Sequence, residues 1–258
     1  MRSVRPPSTL VRLNNQILVT VMLALWIGAI QPGMADQTAG TDKVTLYLRE
    51  DIRANQPNLL TLNGLYDFYL PLGVIQAGGR VGESASQVGT WAYKVEWISP
   101  KFWDHFKGSA KLVKNNNYVP DVTQDTIFVE RIISSFKPFQ GWFLLDDVGV
   151  GAESGVAQIF TRQGSTNVLP NTWGTQNVVP VYALKFTRDD PEGKRAYSFM
   201  FANFDIFDPY PSSQPFVQLE GSQEISRITY YAYVRYRWDT ATEQFHSLYL
   251  TVGMDFPN

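Results

Sequence analysis

Period-two alternation of apolar and polar side chains dominates this chain. It is sharpest over 227–238, where Ile228, Tyr230, Ala232, Val234, Tyr236 and Trp238 share one face and Arg227, Thr229, Tyr231, Tyr233, Arg235 and Arg237 the other. Over 243–256 the alternation returns with Leu248, Leu250, Val252, Met254 and Phe256 on one side, and the small polar stretch 239–242 between the two suits a hairpin loop. The same pattern predicts strands near 43–49, 62–70, 91–98, 126–133, 142–145, 156–162, 179–187 and 196–207. A polar run around Pro191 and Gly193 separates the last two as a turn.

One short helix is predicted after Ser99, which can cap, with Pro100 at the first helical position and Gly108 as terminator. The glycine-rich 73–89 stretch, including Gly78-Gly-Arg-Val-Gly82, is expected to be a long turn. So is 208–226, with Pro209, Pro211 and Pro215. Together these elements predict an all-β fold: a mainly antiparallel sandwich or partly closed barrel of about ten strands with one short helix.

The N-terminal segment has a different character. Arg2, Arg5 and Arg12 precede an apolar run from Ile17 to Ile30, and Pro32, Gly33 and Ala35 follow it. That run falls short of the roughly 20 residues a membrane helix needs, and the small residues suit a peptidase, so 1–35 is expected to be a signal peptide cleaved after Ala35. Residues 36–258 would then form a single β-rich domain, exported to the periplasm or beyond. Removing the leader takes three arginines and no acids from a chain of net charge −2, leaving −5. With no basic block, nucleic acid is not an expected partner. The chain has no cysteine and only two histidines, which excludes disulfides, thiolate metal sites and multi-histidine metal centres; no cofactor is expected.

Few residues carry recognisable chemistry. Trp103, Asp104 and His105 place an acid beside a histidine, a pairing that could serve an envelope hydrolase, although neighbours on a helix point about 100° apart. Gly151-Ala-Glu-Ser-Gly155 has its serine one position late for a nucleophile elbow. Asp146 with Asp147, and Asn203 with Asp205 and Asp208, offer oxygens to calcium; the alternative is ordinary turn chemistry. Trp91, Tyr93, Val95 and Trp97 share one strand face opposite Ala92, Lys94, Glu96 and Ile98, and the aromatic side is expected in the core. Tyr231, Tyr233, Arg235 and Arg237 form the candidate binding face, because Tyr and Arg are enriched at binding hot spots; plain cross-strand pairing on a solvent face is the alternative.

These features point first to a periplasmic or secreted sandwich that binds a glycan, a lipid or an envelope protein. An outer-membrane barrel, acting as a pore or envelope component, is the second reading. Two arguments count against it. Counted back from a periplasmic C-terminus, the long 164–177 and 208–226 connections would fall on the periplasmic side, where such barrels have short turns. The 196–207 run is also apolar on both faces, which suits a packed core.

Overall fold

Twelve strands follow one another in chain order: β1 (Lys43–Arg53), β2 (Leu59–Leu70), β3 (Gly73–Ser84), β4 (Gln87–Ile98), β5 (Phe106–Asn115), β6 (Thr123–Phe136), β7 (Val148–Gln163), β8 (Gln176–Asp189), β9 (Arg195–Ala202), β10 (Phe216–Ile225), β11 (Ile228–Asp239) and β12 (Gln244–Pro257). Every neighbouring pair is antiparallel, and β1 pairs with β12 from Lys43↔Pro257 to Arg53↔Ser247, so the sheet closes on itself as a barrel. The computed structural model describes residues 42–54, 58–84, 87–102, 105–116, 123–138, 148–163, 176–190 and 194–257, and among these there is no helix. The expected leader 1–35, the short 142–145 strand, Trp103, Asp104, Asp146 and Asp147 lie outside them.

The expected sandwich of ten strands with a helix is therefore corrected to a closed barrel of twelve strands. Three strands, β3, β5 and β10, are not among those expected, and the expected 142–145 strand lies outside the described residues. After Ser99 the chain reverses: its backbone N–H donates to Gly108 O at 2.8 Å, its Oγ accepts from Gly108 N at 2.8 Å, and Phe102 pairs with Phe106. The Ser-Pro cue opens this reversal and β5, not a helix. The glycines over 73–84 lie within β3. A Cβ at Gly78 would come within 2.3 Å of Leu65 and 2.7 Å of the Gly64 carbonyl, so close strand packing selects glycine there. The 208–226 stretch contains β10, which turns into β11 through Ser226 and Arg227 at φ 54° and 70°. Both residues of this two-residue turn occupy the left-handed region without the glycine or asparagine that normally signals it.

Restoring β10 reverses the placement of the earlier connections. β7 ends and β8 begins at the same rim as the β9–β10 and β11–β12 connections, opposite the rim where β1 starts and β12 ends. The two longest connections, β7–β8 and β9–β10, thus leave from the far rim while the next longest, β6–β7, leaves from the terminal rim, so the placement of 164–177 no longer counts against a transmembrane barrel.

The side-chain alternation is inside out for a water-soluble protein. Leu48, Leu62, Val81, Val95, Leu219, Val234, Leu250 and Val252 all face outward and are exposed, Leu219 by 64%. Arg49, Asp51, Arg80, Lys94, Glu96, Lys111, Arg235 and Arg237 face inward and are buried. So large an apolar surface is untenable in water and natural in a bilayer, where a closed barrel also leaves no backbone group unpaired at depth. Rings flank this aliphatic belt at both rims. At the far rim Tyr182, Phe201, Trp238, Tyr236 and Phe245 form a chain of contacts 5.7–6.3 Å apart; near the terminal rim stand Tyr66, Phe68, Trp97, Tyr197 and Tyr230. Trp91, Tyr93, Val95 and Trp97 belong to this outward surface, not to a core. The main expectation, a soluble periplasmic sandwich, is overturned by this surface and by the barrel closure.

Candidate functional site

β9 ends at Ala202, and the chain then turns from the far rim into the barrel instead of out of it. Phe204, Asp205, Phe207 and Tyr210 are buried there. This explains the run that looked apolar on both faces. Tyr197, Phe199 and Phe201 are the outward face of β9, whereas Phe204 and Ile206 belong to a segment packed in the lumen. Asn203 fixes the entry, accepting from Tyr182 N at 2.8 Å and donating to the Pro180 and Tyr210 carbonyls.

Strand residues from around the wall hold the segment. Asp205 Oδ2 accepts from Arg49 Nη1 on β1 at 3.1 Å, from Arg235 Nη1 on β11 at 3.0 Å and from Tyr210 Oη at 2.7 Å; its other oxygen accepts from the backbone of Phe207 and Asp208. Lys111 Nζ on β5 donates to the Asp205 and Ile206 carbonyls, both at 3.0 Å. Asp208 accepts from Arg80 Nη1 on β3 at 2.7 Å and from Asn115 Nδ2 at 3.1 Å. Guanidinium groups also stack on the segment's rings: Arg131 over Phe204, Arg80 over Phe207 and Arg237 over Tyr210, at 4.7, 5.1 and 4.2 Å from the centroids. Asp205 lies on this connection, not on a spanning strand. Burial alone would raise its pKa, but the fields of Arg49, Arg235 and Arg80 and the Tyr210 hydrogen bond hold it well below the ordinary carboxylate range.

A second ion network pairs wall residues with one another. Lys94 and Glu96 pair at 3.0 Å on β4, Ser109 donates to Glu96, and Arg131 on β6 bridges Glu96 and Glu153. Between the two networks and the terminal rim lies a vestibule of about 470 Å³. Lys94, Lys111 and Arg131 line one side of it, and Tyr47, Tyr231 and Tyr233 come from strands on the other.

The structure does bring Tyr231, Tyr233, Arg235 and Arg237 onto one face of β11, but that face is the lumen wall. Tyr231 and Tyr233 line the vestibule; Arg235 binds Asp205 and Gln218; Arg237 donates to Ser247 Oγ at 3.1 Å. No solvent face exists for the cross-strand alternative to occupy. Asn203, Asp205 and Asp208 are drawn together, but their oxygens are taken by backbone donors and by Arg49, Arg80 and Arg235. Among the described residues no group of three or more His, Cys, Asp or Glu is arranged to hold a metal ion. His105 is exposed in the reversal before β5, contributing its backbone carbonyl to Ser135 N. Arg49, Arg80, Lys111 and Arg131 were not singled out by sequence. The available signal was alternation itself, Arg49 and Asp51 on one side of β1 and Leu46 and Leu48 on the other.

No protein-family model matches the chain, and no curated protein matches it by sequence. Similar folds are found among solved structures. The KdgM porin superposes with a TM-score of 0.51 at 10% identity, over 83% of this chain and 99% of that one. A structure described as KdgM porin in complex with disordered oligogalacturonate gives 0.50, with the same identity and coverage. At such identity the likeness establishes a shared barrel fold.

Proposed function

We propose that this protein is an outer-membrane channel through which small hydrophilic solutes diffuse, narrowed by the segment that enters its lumen after β9. The observation that carries this reading is the pairing of an apolar, ring-flanked outer surface with a charged lumen enclosing a vestibule. A barrel that served only as a membrane anchor could fill its interior with apolar side chains. Here paired ions are buried beside the apolar cluster of Val113, Val129 and Phe207, at a desolvation cost that an interior filled only with apolar side chains would avoid. The porin likeness supports the same reading at the level of fold.

Sugar-derived solutes are the class to test first. Tyr47, Tyr231 and Tyr233 offer ring faces to a sugar, and Lys94, Lys111 and Arg131 offer donors across the vestibule. The oligogalacturonate held by the KdgM porin points the same way. The test is single-channel recording and liposome swelling with the purified barrel. A second form has 204–210 replaced by glycine and serine. Small conductance steps from the native protein, larger steps from the second form and swelling with monosaccharides are expected. Silence from both forms, each shown to be inserted by a heat-dependent shift in gel mobility, would remove the channel reading.

A further inference from the structure

The two ion networks in the lumen are built differently, and the difference has a functional meaning. Lys94 finds Glu96 on its own strand, and Arg131 finds Glu96 across β5 and Glu153 on the adjacent β7, so the wall itself supplies the carboxylates of that network. Arg49, Arg80, Lys111 and Arg235 converge from β1, β3, β5 and β11, strands that include no adjacent pair, on a connection that is not part of the wall. Arg49 also meets Asp51 on its own strand, but the wall partner of Arg235 is the neutral Gln218, at 2.8 and 3.0 Å. Buried cations need anionic or strongly polar partners, and here the connection supplies them as Asp205, Asp208 and two peptide carbonyls. Connections are also the parts of a fold that open most readily.

We infer that the segment from Asn203 to Tyr210 is a tethered carboxylate ligand, occupying and thereby closing an anion-binding site that Arg49, Arg80, Lys111 and Arg235 build across the barrel. This rests on the channel reading and deepens it. With the segment seated, Asp205 and Asp208 face these cations and narrow the lumen. With it displaced, Arg49, Arg80, Lys111 and Arg235 line the path with Asp51 as the wall carboxylate among them. The site would then take solutes bearing carboxylates, held by the same guanidinium forks that hold Asp205 and Asp208.

The experiment compares native protein with the Asp205→Asn/Asp208→Asn double variant in planar bilayers under a potassium chloride gradient, with succinate as the soluble carboxylate probe. The double variant is expected to show larger conductance steps and a reversal potential moved toward that of chloride. Millimolar succinate should block the variant and leave the native protein unaffected. Larger steps are the deciding readout, because neutralising two acids in place could move the reversal potential without opening the path. Native-sized steps with no succinate block would overturn the inference while leaving the channel reading intact. Silence of native protein, double variant and the glycine-serine form together would instead remove the channel reading. If the double variant fails to show the heat-dependent shift, Asp208→Asn alone carries the test, since its carboxylate is less enclosed than that of Asp205, at 17% against 2% side-chain exposure. The same changes in smaller measure are expected from it, and native steps without block would be decisive against the inference.

Discussion

Asp205 sits buried between Arg49 and Arg235, and each buried charge is compensated by the others. Removing one member of such a cluster leaves an uncompensated buried charge, which costs about 3–5 kcal/mol. Arg235→Ala should therefore lower the urea midpoint of the folded barrel in detergent clearly. Arg235→Lys should recover only part of the loss, because an ammonium cannot span Asp205 and Gln218 as the guanidinium fork does. A midpoint unchanged by Arg235→Ala would mean that the segment is not seated as described. Acid has a defined effect on the same contact. The Asp205 pKa is depressed in the folded state, so its contribution is fully present above the ordinary carboxylate value and is lost only as pH falls through the lower, folded value. Conductance steps measured at about pH 4, near the ordinary carboxylate pKa, should thus match those at neutral pH. Growth of the steps on mild acidification would show a weaker clamp.

Along the strands, what matters is depth in the bilayer and fit inside a closed cylinder. Val234 lies mid-strand on the outer face of β11, and Ile225 lies at the terminal-rim end of β10. A lysine on the lipid face costs about 2–4 kcal/mol at the midplane and about 0–1 near the interfaces. Val234→Lys should impair folding into lipid vesicles far more than Ile225→Lys, as read by the folded fraction on unheated gels. Equal effects would argue against the assigned belt. On the inner face, a Cβ at Gly253 would come within 2.5 Å of the Tyr231 ring and 2.6 Å of the Tyr47 Cβ. Gly253 lies on the strand that closes the barrel, so Gly253→Ala should destabilise by about 1–3 kcal/mol through overpacking. Truncating Tyr231 to Ala in the same chain should restore only part of that loss, because the Tyr47 Cβ stays in place.

For the molecule as a whole, the legible part of the sequence was the strands that signal themselves locally. The β11–β12 hairpin was readable because its apolar face is unbroken and its loop is small and polar. β10 was not, because Ser226 and Arg227 make a left-handed turn without glycine. That omission put the 164–177 connection on the wrong side and with it raised the loop argument against a barrel. β3 was hidden for the opposite reason, since its glycines serve close packing and resemble turn residues. Of the candidate site, the Tyr231–Arg237 face and the Asn203–Asp208 oxygens were visible as unusual chemistry. Their convergence was not, because residues from β1, β3, β5 and β11 meet only when the sheet curls.

The sequence by itself determined that the chain is all-β, that its strands alternate between an apolar and a polar face, and that thiol and multi-histidine chemistry are absent from it. Only the tertiary structure decided which face is outside. Period-two alternation is the same whether the polar side meets bulk water around a packed core or lines a lumen within a bilayer, because each strand records only that its two faces differ. Barrel closure resolves the ambiguity. Once β1 pairs with β12, one face of every strand lines a common interior; the buried Arg49, Arg80, Lys94 and Arg235 against the exposed Leu48, Val81, Val95 and Val234 show that it is the ion-bearing face, and Asp205 and the cations that hold it are brought into one site.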